Sequence, residues 1–160
     1  LGGAMFRPMR RAEKEVSTEI AWEILKKGTW GTLSVNGPDG FPYGVPVNYI
    51  VWNGRIIFHS APDGQKIDAI NADSKACFTV VTKAEIVKEK ISTRCESVIA
   101  FGSVNLVKEN REEILRALAY GYGPVEDNGF IEKRLEKGAC KALLFEFVPQ
   151  HISGKINNAR

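Results

Sequence analysis

The chain is poor in the residues that build metal centres and cross-links. Its three cysteines, Cys77, Cys95 and Cys140, are far apart, and no C-x-x-C pair occurs. A disulfide framework is therefore not expected, and reduced thiols fit best. Only two histidines are present, His59 and His151, in no zinc-ligand spacing, so no metal site is expected. No apolar run approaches the roughly 20 residues that span a bilayer, and no secretory leader is recognisable, so a cytoplasmic protein with no membrane partner is expected. G-x-G-x-x-G and G-x-x-x-x-G-K-[ST] are both missing, which disfavours a doubly wound nucleotide-binding sheet. Charge of one sign is not in excess either. With 22 basic and 19 acidic residues the net charge is only +3, which argues against a nucleic-acid partner.

What is present is enough apolar material for one core: 44% of 160 residues. A single domain over 5–160 is expected. Leu-Gly-Gly-Ala at 1–4 precedes Met5, reads as a cloning remnant and is set aside.

Pattern predicts the elements. After a basic arm at 7–11, Ser17 or Thr18 caps a helix whose face is Ile20, Ala21, Ile24 and Leu25 and whose stop is Gly28. Strands are expected over 30–35, 43–52, 55–60, 76–81, 98–107 and 142–148. Pro46 marks an edge or bulge, Asn53-Gly54 a hairpin and Gly102 a bulge. Helices are expected over about 65–72, 110–119 (with Asn110 and Glu113 as a capping box) and 130–137, the last stopped by Gly138. Residues 83–90 fit loop or helix equally, 121–129 read as loop, and 151–160 as a polar tail. Six hairpin-spaced strands without β-α-β alternation predict a mainly β protein, an antiparallel barrel with flanking helices.

The segment 41–70, FPYGVPVNYIVWNGRIIFHSAPDGQKIDAI, carries the chemistry. Ser60 ends a strand, and Lys66 follows at a helix start where backbone N–H groups are free and the dipole is positive. Such a corner suits a phosphate. The competing reading is a solvated lysine and an ordinary strand end. Pro46 removes an N–H from the 43–52 strand, leaving neighbouring backbone groups free for a flat ligand such as a flavin, or simply marking an edge. His59 and Ser60 are adjacent on one strand and should face opposite ways.

Three blocks together, F-P-x-G-V-P-V-N-Y at 41–49, F-H-S-A-P-x-G-x-K-x-D-x-I at 58–70 and R-x-E-S-V-I-x-F-G at 94–102, resemble the FMN-binding split-barrel superfamily. More narrowly, they resemble the nitroimidazole-resistance branch related to pyridoxamine 5′-phosphate oxidase. Ile152-Ser-Gly-Lys155 resembles the family's end motif. The resemblance implies a six-stranded split barrel, a homodimer, and FMN bound at the subunit interface. It implies that Ser60, Gln65 and Lys66 hold the phosphate and that Val47, Asn48 and Tyr49 lie along the flavin. Ser97 would lie near the flavin's edge, with Lys155 reaching the partner's site. His59 matches the histidine placed beside the flavin and would be the catalytic residue. The implied activity passes electrons from a reduced pyridine nucleotide, NADH or NADPH, through FMN to a small oxidised substrate such as a nitroaromatic. Alternatives are a pyridoxamine 5′-phosphate oxidase-like enzyme, or a flavin- or haem-binding protein without turnover, with His59 or His151 as haem ligand. The chain departs from the vitamin B6 oxidases in two ways: it has no W-x-x-R near its end, and Gln65 stands where they carry arginine.

Overall fold

The structure, a computed structural model, describes residues 6–123, 129–136 and 142–159. The expected helix stop at Gly138, the remnant at 1–4, Cys140 and part of the 121–129 loop lie outside these residues.

Eight strands form one antiparallel sheet: β1 (Glu15–Val16), β2 (Trp30–Asn36), β3 (Pro42–Asn48), β4 (Ile50–Trp52), β5 (Arg55–Ser60), β6 (Lys75–Val87), β7 (Ser92–Leu106) and β8 (Leu143–Asn158). Their order is β3-β2-β6-β7-β8-β5-β4, with β1 added beside β8. The two outermost strands, β3 and β4, are separated in the chain by Tyr49 alone. They are the halves of one bent strand, the first paired with β2 and the second with β5. The sheet thus curls back on itself into a half-barrel. With β3 and β4 taken as one strand and two-residue β1 set aside, these are the six strands expected. Pro46 sits on edge strand β3, where its missing N–H costs no ladder bond.

The helices are α1 (Thr18–Lys27), α2 (Gln65–Ala72), α3 (Arg111–Tyr122) and α4 (Phe130–Glu136). The Ser17 hydroxyl caps α1 by accepting from the Ile20 N–H, 3.4 Å away, and Gly28 ends it. Asn110 does stand at the N-cap of α3, but in the left-handed region (φ 52°), and its side chain makes no cap bond; the expected capping box does not form. Inside the barrel, Leu33, Phe58, Phe78, Val98, Phe145 and Phe147 pack with Ala21, Ile24 and Leu25 of α1. A second cluster of Ile57, Leu144, Ile114, Leu115 and Leu118 seats α3 on the outside of β5 and β8.

Three stretches depart from the sequence expectation. Residues 83–87 continue strand β6 and end in a 3-10 turn at Lys88–Lys90, because Ser92–Glu96 pairs with them. Strand β7 correspondingly begins six residues earlier than expected. The tail expected at 151–160 is strand to Asn158, held by β7 on one side and by Glu15 and Val16 on the other. The irregularity expected at Gly102 is present: Phe101 pairs with His151 but Gly102 with Pro149, so Gln150 of β8 is the extra residue.

Tyr49 marks the bend. Its ring is buried edge-on against Phe78, with centroids 5.2 Å apart, and its hydroxyl donates to the Leu25 carbonyl at 2.6 Å. A Cβ at position 28 would collide with that hydroxyl, which explains the glycine there. The Leu25 oxygen also accepts from the Gly28 N–H at 3.2 Å, so Tyr49→Phe leaves it partnered. The expected loss is therefore the net value of one bond, about 1 kcal/mol, read as a denaturation midpoint shift with unchanged m-value.

Candidate functional site

The half-barrel opens where β3 and β5 part. The β4–β5 ladder starts at Ile50↔Ile57, and two places further Asn48 would face His59. Pairing between these two strands has ended there, while Asn48 keeps its partner Trp30 on β2 and His59 its partner Leu144 on β8, and a slot opens between them. Trp30, the ladder partner of Asn48, stands 59% exposed beside it.

The end of β5 forms the slot's floor. Ile56, Phe58 and Ser60 point into the barrel, while Ile57 and His59 point out. The opposition of His59 and Ser60 expected from strand geometry is what the structure shows: Ser60 is only 6% exposed and His59 is exposed. After the loop at 61–63, Gly64 adopts φ 113°, a conformation that L side chains rarely enter, and opens α2 with no side-chain cap. The first N–H groups of α2 are thus left facing outward. Gln65 is exposed and Lys66 half-buried in this first turn. The Lys66 ammonium lies 5.9 Å from the centre of the Phe58 ring, on the Ser60 side of β5. It makes no ion pair among the described residues. Burial holds its pKa below the ordinary lysine value. The pKa of His59 is likewise depressed, first by burial and then by the Lys66 charge, so its imidazole is mostly neutral at pH 7. Ser60, Gln65, Lys66 and His59 are therefore brought to one corner.

The remaining expected residues divide. Asn48 is at the slot, but the side chains of Val47 and Tyr49 belong to the core, 6% and 1% exposed. Alternation along this stretch turns both inward, and the Tyr49 N–H is donated to the Thr29 carbonyl at 3.1 Å. Ser97 and Lys155 form a half-buried cross-strand pair on β7 and β8, far from the corner. Ser60 pairs with Leu143 at the start of β8, and Lys155 lies twelve residues further along that strand. At about 3.3 Å per residue that is a path of roughly 40 Å. His151 is on the same outer face, its ring stacked 4.8 Å from that of Phe6.

Sequence reading missed the wall beside His59. Helix α3 runs to Tyr122, three residues beyond its expected end, and Leu115, Leu118, Ala119 and Tyr122 line a cavity of about 410 Å³ with His59 and α4. Their i, i+3, i+4, i+7 spacing is the signal that could have shown it. Among the described residues no cluster of His, Cys, Asp or Glu is placed to hold a metal, and no helix is long and apolar enough to cross a membrane.

A curled antiparallel sheet closed by one bent strand, with helices outside and an uncapped helix start at its open corner, defines a split-barrel protein of the ligand-binding kind. The chain belongs to the pyridoxamine 5′-phosphate oxidase family, whose model matches residues 17–156. The fold is shared with a protein of Bacteroides thetaiotaomicron described as a 5-nitroimidazole antibiotic resistance protein: TM-score 0.71, 19% identity, 89% of this chain and 86% of that one covered. An FAD-binding protein of Mesorhizobium loti matches with TM-score 0.64 and 18% identity over 91% of this chain and 98% of that one. An FAD- and haem-binding protein of Mycobacterium smegmatis matches with TM-score 0.70 and 17% identity over 91% and 74%. At such identities the likeness is one of fold. No curated protein sequence matches the chain.

Proposed function

We propose that the protein is an FMN-dependent oxidoreductase that works as a homodimer and passes electrons from NADH or NADPH to a small oxidised substrate. One observation carries this reading: the β5–α2 corner, where an ammonium without an ion pair among the described residues stands beside an uncapped helix start opened by Gly64. That donor set fits a single terminal phosphate. The slot above it, edged by Asn48, His59 and the Trp30 ring, fits a flat heterocycle.

Bound FMN would supply the electron transfer; the chain supplies position and electrostatics. Lys66 and the first N–H groups of α2 hold the phosphate charge, with Ser60 and Gln65 as further donors. The main chain at Val47 and Asn48 orients the ring edge. His59, neutral and exposed, offers one nitrogen as donor and the other as acceptor, and so orients a substrate or relays a proton, releasing its N–H while the other nitrogen takes a proton from solvent.

Distance supports the dimer. A flavin anchored at Lys66 of one chain meets Ser97 and Lys155 only if a second copy brings them, given the length of β8 between them. Val81, Ile99 and Phe101 stand exposed on the same outer face as Ser97, as apolar surface for that contact. Light scattering at micromolar concentration should give twice the chain mass. A clean monomer with flavin still bound would count decisively against the pairing.

The reading as a whole is tested by the visible spectrum of the purified protein. Twin bands in the blue and near-ultraviolet, bleached on adding a reduced pyridine nucleotide, are expected, and the released cofactor should run as FMN rather than FAD. A Soret band, or a colourless protein that takes up no added FMN, would overturn it.

A further inference from the structure

The cavity outside the barrel, between β5, α3 and α4, has a composition that the phosphate corner does not explain. Apolar side chains such as Leu118, Ala119 and Ile131 form its walls, and three polar ones line it among the described residues: His59, Tyr122 and Arg134. None of these three has a hydrogen-bond or ion-pair partner among the described residues. The two rings, His59 and Tyr122, lie 6.2 Å apart, tilted by 56°. Arg134 is exposed. Its neighbours on α4 do not neutralise it: side chains two apart on a helix do not face each other, and Glu132 is bound to Arg116 at 2.6 Å.

An apolar slot with a guanidinium and a phenol that no described residue engages, beside an imidazole, selects a flat apolar body bearing one carboxylate. The guanidinium fork takes both carboxylate oxygens, the phenol adds a third donor, and the walls take the ring. Size sets the body. A cavity of about 150 Å³ holds a benzene, so about 410 Å³ admits one or two rings.

We propose that this cavity binds an aromatic monocarboxylate of one or two rings, its carboxylate on Arg134 and Tyr122 and its ring beside His59. The binding does not rest on the flavin reading above.

The test is calorimetric titration of the purified protein with 2-naphthoate and with its uncharged counterpart 2-naphthamide. The acid should bind at least tenfold more tightly than the amide. Arg134→Gln, at an exposed position, should weaken the acid tenfold or more and leave the amide, the flavin content and the melting temperature unchanged. Ala119→Trp, which fills the cavity, should abolish binding of both. Absence of naphthoate binding, equal affinity for acid and amide, or acid affinity indifferent to Arg134→Gln would each overturn the proposal. A protein that binds naphthoate as described but takes up no FMN would uphold this cavity and overturn the flavin reading. One that holds FMN and ignores naphthoate would do the reverse.

Discussion

Replacing Lys66 with alanine should weaken FMN binding on the order of 10- to 100-fold and leave riboflavin binding nearly unchanged. Lys66 sits in the first turn of α2, half-buried, with its ammonium near the end of β5 and no carboxylate paired to it among the described residues. A charge-assisted bond to a phosphate is worth roughly 1.5–3 kcal/mol, and about 1.4 kcal/mol is tenfold in affinity. Riboflavin lacks the phosphate, so it reports the ring slot alone. Fluorescence titration of both flavins against wild type and variant makes the comparison. Equal losses for the two would mean that Lys66 acts through folding and not through the phosphate.

His59→Ala should slow substrate reduction, normalised to bound FMN, by more than tenfold, with FMN itself retained to within several-fold. The structure sharpens this expectation. As a packed strand histidine, His59 would lower stability when removed; being exposed on the outer face of β5, it should cost the fold little. A loss of rate then reflects lost chemistry. The pH dependence has a definite sign. Burial and the Lys66 charge depress the pKa of His59, so the neutral imidazole persists from alkaline pH down past the ordinary histidine value. Its contribution should be lost only on further acidification, and the variant should lose that acidic limb of the profile. A normalised rate within twofold of wild type would end the catalytic assignment.

Local elements with their own chemistry were legible. Ser17 and Gly28 bracket α1, Asn53-Gly54 turns β4 into β5, and Pro46 marks an edge, because capping, turn and missing-donor effects act within a few residues. The opposition of His59 and Ser60 was legible for the same reason: the pleat has a period of two wherever a strand forms. The proposed phosphate corner, too, is contained in eight consecutive residues, 59–66.

What the sequence determined by itself is therefore the set of strands with strong local signals, the barrel class and the corner at the end of β5. The tertiary structure decided the rest. Residues 83–87 and 149–158 are polar enough to read as loop or tail, and they are strand only because β7 offers each of them a ladder. Val47 and Tyr49 look available to a ligand in the sequence. They are core because the bend at Tyr49 places its hydroxyl on Leu25 and its ring on Phe78. Ser97 and Lys155 were expected near a flavin at a subunit interface, Lys155 at the partner's site; the length of β8 separates both from Lys66 of the same chain. The cavity beside His59 joins residues from 59, 118–122 and 131–134, which only the docking of α3 on β5 brings together. Short-range steric and hydrogen-bond preferences are written into a few adjacent residues. Strand pairing and helix docking depend on partners tens of residues away, and they become visible only when the chain has closed.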